Sequence, residues 1–141
     1  MTTSTHPLTT TRPSGLRRRT GRLLAGTAAL LALLAGLSSG IAEVTAAGDA
    51  TLMIQTWRMY GLLLFAGLFA LLAWRPEGNG PLWALVIADK AAVSLTAVVY
   101  VVRGDVAQAG TTVGWDGAIT VMLIVAFFLC RPSGSKSDPP R

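Results

Sequence analysis

The sequence predicts an all-α integral membrane protein, a four-helix antiparallel bundle with both termini in the cytoplasm. Three observations carry this expectation. Of the 141 residues, 52% are hydrophobic and only 13% charged, about half the charged share of an average soluble domain. Mean hydropathy is +0.54, and the apolar residues fall in blocks, one of which, 61–74, holds no charge. Each block approaches the roughly 20 residues that a helix needs to cross about 30 Å of hydrocarbon. A soluble domain of this size has nowhere to bury such runs, which argues against a water-soluble enzyme and, outside the tails, against disorder. No block alternates apolar with polar residues at period two, so membrane strands are not expected either.

In chain order, residues 1–22 read as a disordered basic tail, Thr-rich at first, with Pro7 and Pro13. The first span is expected over about 23–44, followed by a Gly48-Asp49 turn. The second covers 52–74 and ends at the Arg75–Pro81 loop. The third covers 81–102 and stops at Arg103-Gly104-Asp105, and the fourth covers 113–130 before Arg131-Pro132-Ser133-Gly134. Residues 132–141, rich in Pro and Ser, form a second disordered tail. The first span also reads as a signal peptide: Arg17-Arg18-Arg19, an apolar run to Leu37, then Ser38-Ser39-Gly40 and Ala46-Ala47. Its apolar character resumes at Ile41 and reaches spanning length, which favours a retained anchor.

Positive charge sets the orientation. Nine of the 12 Lys and Arg residues lie in the N-terminal tail, the middle loop and the C-terminal tail. The positive-inside rule places these in the cytoplasm of a plasma membrane. Trp57 and Trp115 are expected at the outer boundary, Trp74 and Trp83 at the inner one, where amphipathic indoles prefer to lie.

Lipid is as apolar as leucine, so helix association depends on close backbone approach. The first span offers Ala32, Gly36 and Gly40 at four-residue spacing, the third Ala84, Ala88, Ala92 and Thr96, and the second Ala66, Ala70 and Ala73. These ridges are expected to pack the bundle; one of them could instead meet a second copy or a partner subunit.

Ionisable residues inside spans cost about 2.5–3.5 kcal/mol on insertion scales and mark sites of interest. Asp89 and Lys90 are the deepest. They point about 100° apart on a helix, Asp89 beside the small ridge and Lys90 nearly opposite it, free to snorkel or find a partner. They read either as a neutralised pair that fixes packing or as a site where Asp89 titrates. Arg58, Glu43 and Asp116 are expected at one outer level with Gln55, Thr56, Tyr60 and Tyr100, Arg58 pairing with Glu43 or Asp116. Asp116 would also complement the dipole of the last helix. Arg17, Arg18 and Arg19 either set orientation or bind anionic lipid head groups.

Catalytic motifs are not evident. The single histidine, His6, lies in the tail, and Cys130, the single cysteine, has no base beside it and reads as a packing residue. No metal cage, cofactor motif or nucleic-acid platform is expected. The stretch Arg58-Met59-Tyr60-Gly61-Leu62-Leu63-Leu64-Phe65-Ala66-Gly67 resembles the opening of DoxX-like four-helix bacterial membrane proteins, with the glycine three positions after the arginine where that family has four. The resemblance implies an accessory subunit without a redox centre and an outer-leaflet site at Arg58. The expected role is thus a non-catalytic structural or accessory membrane component; the alternative is a small proton-coupled transporter with Asp89 as its titrating group.

Overall fold

The computed structural model describes residues 15–104 and 106–131. The expectations for the tail up to residue 14, for Asp105 and for residues 132–141 lie outside the described residues. Among the described residues there are four helices, each long and apolar enough to cross a membrane: α1 Gly15–Ala46, α2 Asp49–Trp74, α3 Gly80–Arg103 and α4 Ala109–Cys130. Among the described residues there is no strand.

Three helix starts differ from those predicted; that of α2 lies at Asp49, so Asp49 is helical and not part of the turn. Helix α1 starts about two turns early, so the arginine run is helical and not tail. Arginine tolerates helix well, and here three of its side chains are held by other elements. Arg17 Nη2 donates to the Phe128 carbonyl at 3.0 Å, and Arg22 Nε to the Ala73 carbonyl at 2.8 Å. Arg18 pairs with Glu77 in the α2–α3 connection at 2.5 Å. Cations thus occupy the carbonyl ends of α2 and α4, where orphan acceptors and the helix dipole both favour them. Helix α4 also starts about one turn early, at Ala109. Its cap, Gln108, holds a left-handed φ of 65°, and its carbonyl accepts from the Thr112 N–H at 3.1 Å. Helix α3 keeps its predicted limits, with Pro81 in its first turn and Gly104, at φ 76°, closing it.

Helix α1 is the hub. It packs along α2 on one side and α4 on the other, α4 packs along α3, and α2 and α3 touch at few points. Small residues make this possible. Gly21, Ala25, Ala28 and Ala32 are buried along α1. A Cβ on Gly21 would lie 2.6 Å from Cys130 Sγ, one on Gly36 2.9 Å from Leu63 Cδ2, and one on Gly40 2.9 Å from Met59 Cγ. The predicted ridge of the first span is therefore filled within the chain. Between these contacts Gly36–Gly40 forms a π-helical turn. There Ser38 and Ser39 bond back to the Leu34 and Ala35 carbonyls at 2.6 and 2.9 Å, competing with the regular ladder.

The ridge of α3 is a correction. Ala84, Ala88 and Ala92 are exposed, and the buried face carries Trp83, Val86, Lys90 and Ala97. Lys90 lies nearly opposite Ala84 and Ala88, and leaving a charge on the lipid side costs more than leaving alanines there; further along the ridge, Ala92 and Thr96 line the cavity. Trp83 is a second correction: it is 1% exposed, a core residue and not an interfacial anchor. Its indole N–H donates to the Pro76 carbonyl at 3.1 Å, and its ring meets Phe127. Large apolar side chains such as Leu64, Leu85 and Leu95 cover the outside, the reverse of the pattern expected against water.

The two halves of the bundle differ. Towards the Arg22 end, Ala28, Phe69, Leu72, Trp83, Val86 and Leu123 form a closed core. Towards the Glu43 end the same four helices surround a cavity.

Candidate functional site

The cavity has a volume of about 1040 Å³, at the upper end of ordinary ligand sites. All four helices line it: Ser38 and Ser39 in the π turn, Arg58 and Phe65 on α2, Lys90, Thr96 and Tyr100 on α3, and Trp115 and Asp116 on α4, with Gln108 at its rim.

Its floor is an ion pair. Lys90, 8% exposed, places Nζ 3.1 Å from Asp116 Oδ1 and 3.7 Å from Asp89 Oδ2. The same nitrogen stands 4.0 Å from the centre of the Phe65 ring, a desolvated cation–π contact. The lysine therefore does not snorkel; it crosses to α4. Asp116 is corrected with it. Because α4 begins at Ala109, Asp116 lies two turns inside the helix, beyond the first turn over which a helix dipole acts, and it leaves Arg58 to Glu43. Asp89 touches Lys90 only through the reach of the lysine stem. Its side chain is 42% exposed, yet Oδ2 is buried without a hydrogen-bond partner among the described residues, as is Ser94 Oγ one turn along α3.

The rim holds the other pair. Arg58 Nη1 donates to Glu43 Oε2, joining the last turn of α1 to α2. Of the residues expected beside it, Tyr100 lines the cavity, Thr56 bonds back to the Leu52 carbonyl, and Tyr60 faces outward. Gln55 buries its Oε1 without a partner among the described residues. Phe65, the π turn and Gln108 were not anticipated. The small polar cluster Gly36-Leu37-Ser38-Ser39-Gly40 inside an apolar run was the available signal for the π turn. Nothing local announces a left-handed glutamine.

At the opposite end Gly15, Arg18, Arg19, Arg22, Leu23 and Ala73 line a groove of about 550 Å³. With Arg17 and Arg22 on helix ends and Arg18 on Glu77, Arg19 is the member of the run with neither a hydrogen bond nor an ion pair from its side chain among the described residues. Cys130 is buried against Gly21, as a packing residue should be. Compared with protein families, curated proteins and solved structures, the chain matches none.

Proposed function

We propose that this chain is a non-catalytic multi-pass component of the plasma membrane, an antiparallel bundle with both termini cytoplasmic, acting through helix contacts with the bilayer and with a second copy or a partner subunit. The observation that carries this reading is that the ionisable groups within the spans are spent on one another: Arg58 on Glu43, Lys90 on Asp116 and Asp89. Such pairs hold helices together and leave the outer surface for contacts. The antiparallel arrangement is supported by Arg17 and Arg22 near the start of α1 reaching the ends of α4 and α2. The orientation is supported by the basic residues gathered at that end. The groove at Arg18 and Arg19 suits anionic head groups. The exposed alanines Ala84 and Ala88 suit another membrane helix, because α1 has used its own ridge. An accessory role also accords with the DoxX-like resemblance around Arg58. Crosslinking in native membranes tests the reading. In a Cys130→Ala background, Ala88→Cys should give a covalent dimer or a defined adduct with another subunit, and Gly36→Cys should give neither; the reverse pattern would overturn it.

A second reading, proton-coupled transport, is favoured by a specific imbalance. Two cations, Arg58 and Lys90, face three carboxylates, Glu43, Asp89 and Asp116. One negative charge is left over, and Asp89, with a buried oxygen lacking a hydrogen-bond partner among the described residues, is the group to which this reading assigns the coupled proton or a cationic solute. Proton-coupled flux of cationic solutes in reconstituted vesicles, abolished by Asp89→Asn, would establish this reading over the first.

A further inference from the structure

The charges that reach the cavity wall differ from the total. Arg58, Lys90 and Asp116 line it, and Glu43 and Asp89 are not among its lining residues. Lys90 is covered by Asp116 and by the Phe65 ring. Arg58 is not covered. Its side chain is 49% exposed, and only Nη1 is engaged, by Glu43; Nε and Nη2 make no hydrogen bond among the described residues. A guanidinium carries five N–H donors in a planar fork that matches a carboxylate. Deeper than Arg58 the walls turn apolar, with Leu31 and Leu34 on α1, Leu62 and Phe65 on α2 and Val93 on α3. Free guanidinium donors at the rim, above a shaft with mostly apolar walls and a floor where Lys90 is already paired with Asp116, are complementary to a molecule with an acidic head and a hydrocarbon tail. The sparse contact between α2 and α3 leaves the shaft's weakest wall facing the membrane, where such molecules dissolve.

We infer that the cavity is a binding site for a single-chain amphiphile with a carboxylate head, seated with its head on Arg58 and admitted from the membrane between α2 and α3. The site holds whichever face of the membrane it opens to, and it requires neither a partner subunit nor proton coupling. It also gives Glu43 a defined effect: by occupying part of the guanidinium, it competes with the ligand head and weakens binding.

The test uses the full chain in phosphatidylcholine nanodiscs, titrated with radiolabelled hexadecanoate, hexadecanol and hexadecylamine. Hexadecanoate should bind saturably, one per chain, at least about tenfold tighter than the alcohol, the order of one charge-assisted bidentate contact. Arg58→Gln should erase that preference, Arg58→Lys should keep part of it, and Leu62→Trp should remove saturable binding by filling the shaft. Arg19→Gln, at the other end of the bundle, should change nothing. Glu43→Gln should tighten hexadecanoate binding while leaving Arg58 in place, and it decides the matter even if Arg58→Gln fails to fold. Equal binding of the three head groups, preference for the amine, or unchanged or weaker hexadecanoate binding by Glu43→Gln would overturn the proposal. For the route, Leu62→Cys and Val93→Cys in a Cys130→Ala background would be bridged by a reducible bifunctional reagent. Hexadecanoate association should then slow by at least about tenfold and recover on reduction; an unchanged rate would overturn admission through this seam.

Discussion

Lys90 shows how one residue can orient a whole helix. A lysine near the middle of an apolar helix has no cheap position, and here it is resolved by a carboxylate on α4 and an aromatic ring on α2. Lys90→Met should strand Asp116 and lower stability by about 3–5 kcal/mol, whereas Lys90→Met/Asp116→Leu should recover most of that loss. Unfolding titrations in mixed micelles would measure both. Glycines give a second contrast. An added methyl at Gly21 would meet Cys130 Sγ at 2.6 Å and the Ala126 carbonyl at 3.0 Å, while at Gly67 it would meet nothing within 4 Å. The same titration should show Gly21→Ala destabilising by about 1–3 kcal/mol, and Gly67→Ala neutral or stabilising by up to about 1 kcal/mol. Asp89, Lys90, Arg58 and Glu43 were legible as polar exceptions in apolar runs. The Arg58–Glu43 pair was legible as one of two alternatives, Asp116 being the other, and the structure gives Glu43. The Lys90–Asp116 pair was not: it depends on the rotation of α3 and on the true start of α4.

Among the elements, α1 and α3 respond to similar ridges in opposite ways. Helix α1 has small residues on two faces and no charge within its apolar run before Glu43, so it can be approached from both sides and becomes the centre. Helix α3 has one such ridge with a lysine opposite it, and the lysine takes the interior. Spacing alone treats the two ridges alike; the cost of exposed charge separates them. The arginines of α1 act as caps for other helices, a role that sequence distance conceals, since Arg22 reaches a residue 51 positions away. Arg22→Gln should loosen the last turn of α2 by about 1 kcal/mol, the combined order of a dipole contact and a carbonyl hydrogen bond. Hydrogen exchange should then rise at Arg75, whose amide bonds to the Leu71 carbonyl in that turn, and stay unchanged in α3.

At the scale of the molecule the bundle is closed at the Arg22 end and hollow at the Glu43 end. Small residues and aromatics alternate through the closed half and fill it; in the hollow half α2 and α3 stand apart around Arg58, Thr96 and Tyr100. Helix α1 joins the two halves and is the main neighbour of α2. A chain cleaved after the first span would leave α2 with only its slight contact to α3. The packing therefore predicts that α1 stays: the intact mass of the protein purified from membranes should include residues 23–46, and a mass lacking them would refute that. A reporter fused after Arg141 should likewise be found on the cytoplasmic side.

Composition and spacing by themselves determined the number of spans, their helical nature and the polar residues that interrupt them. Each follows from a local requirement: backbone groups in hydrocarbon must bond within their own segment, and charges there are conspicuous because they are costly. Only the tertiary structure decided which face of α3 turns inward, which carboxylate Lys90 meets, and that one half of the bundle is hollow. Those outcomes arise from competition between contacts on different helices, and hydrophobic patterning along one helix cannot rank them where the surrounding lipid is as apolar as the core.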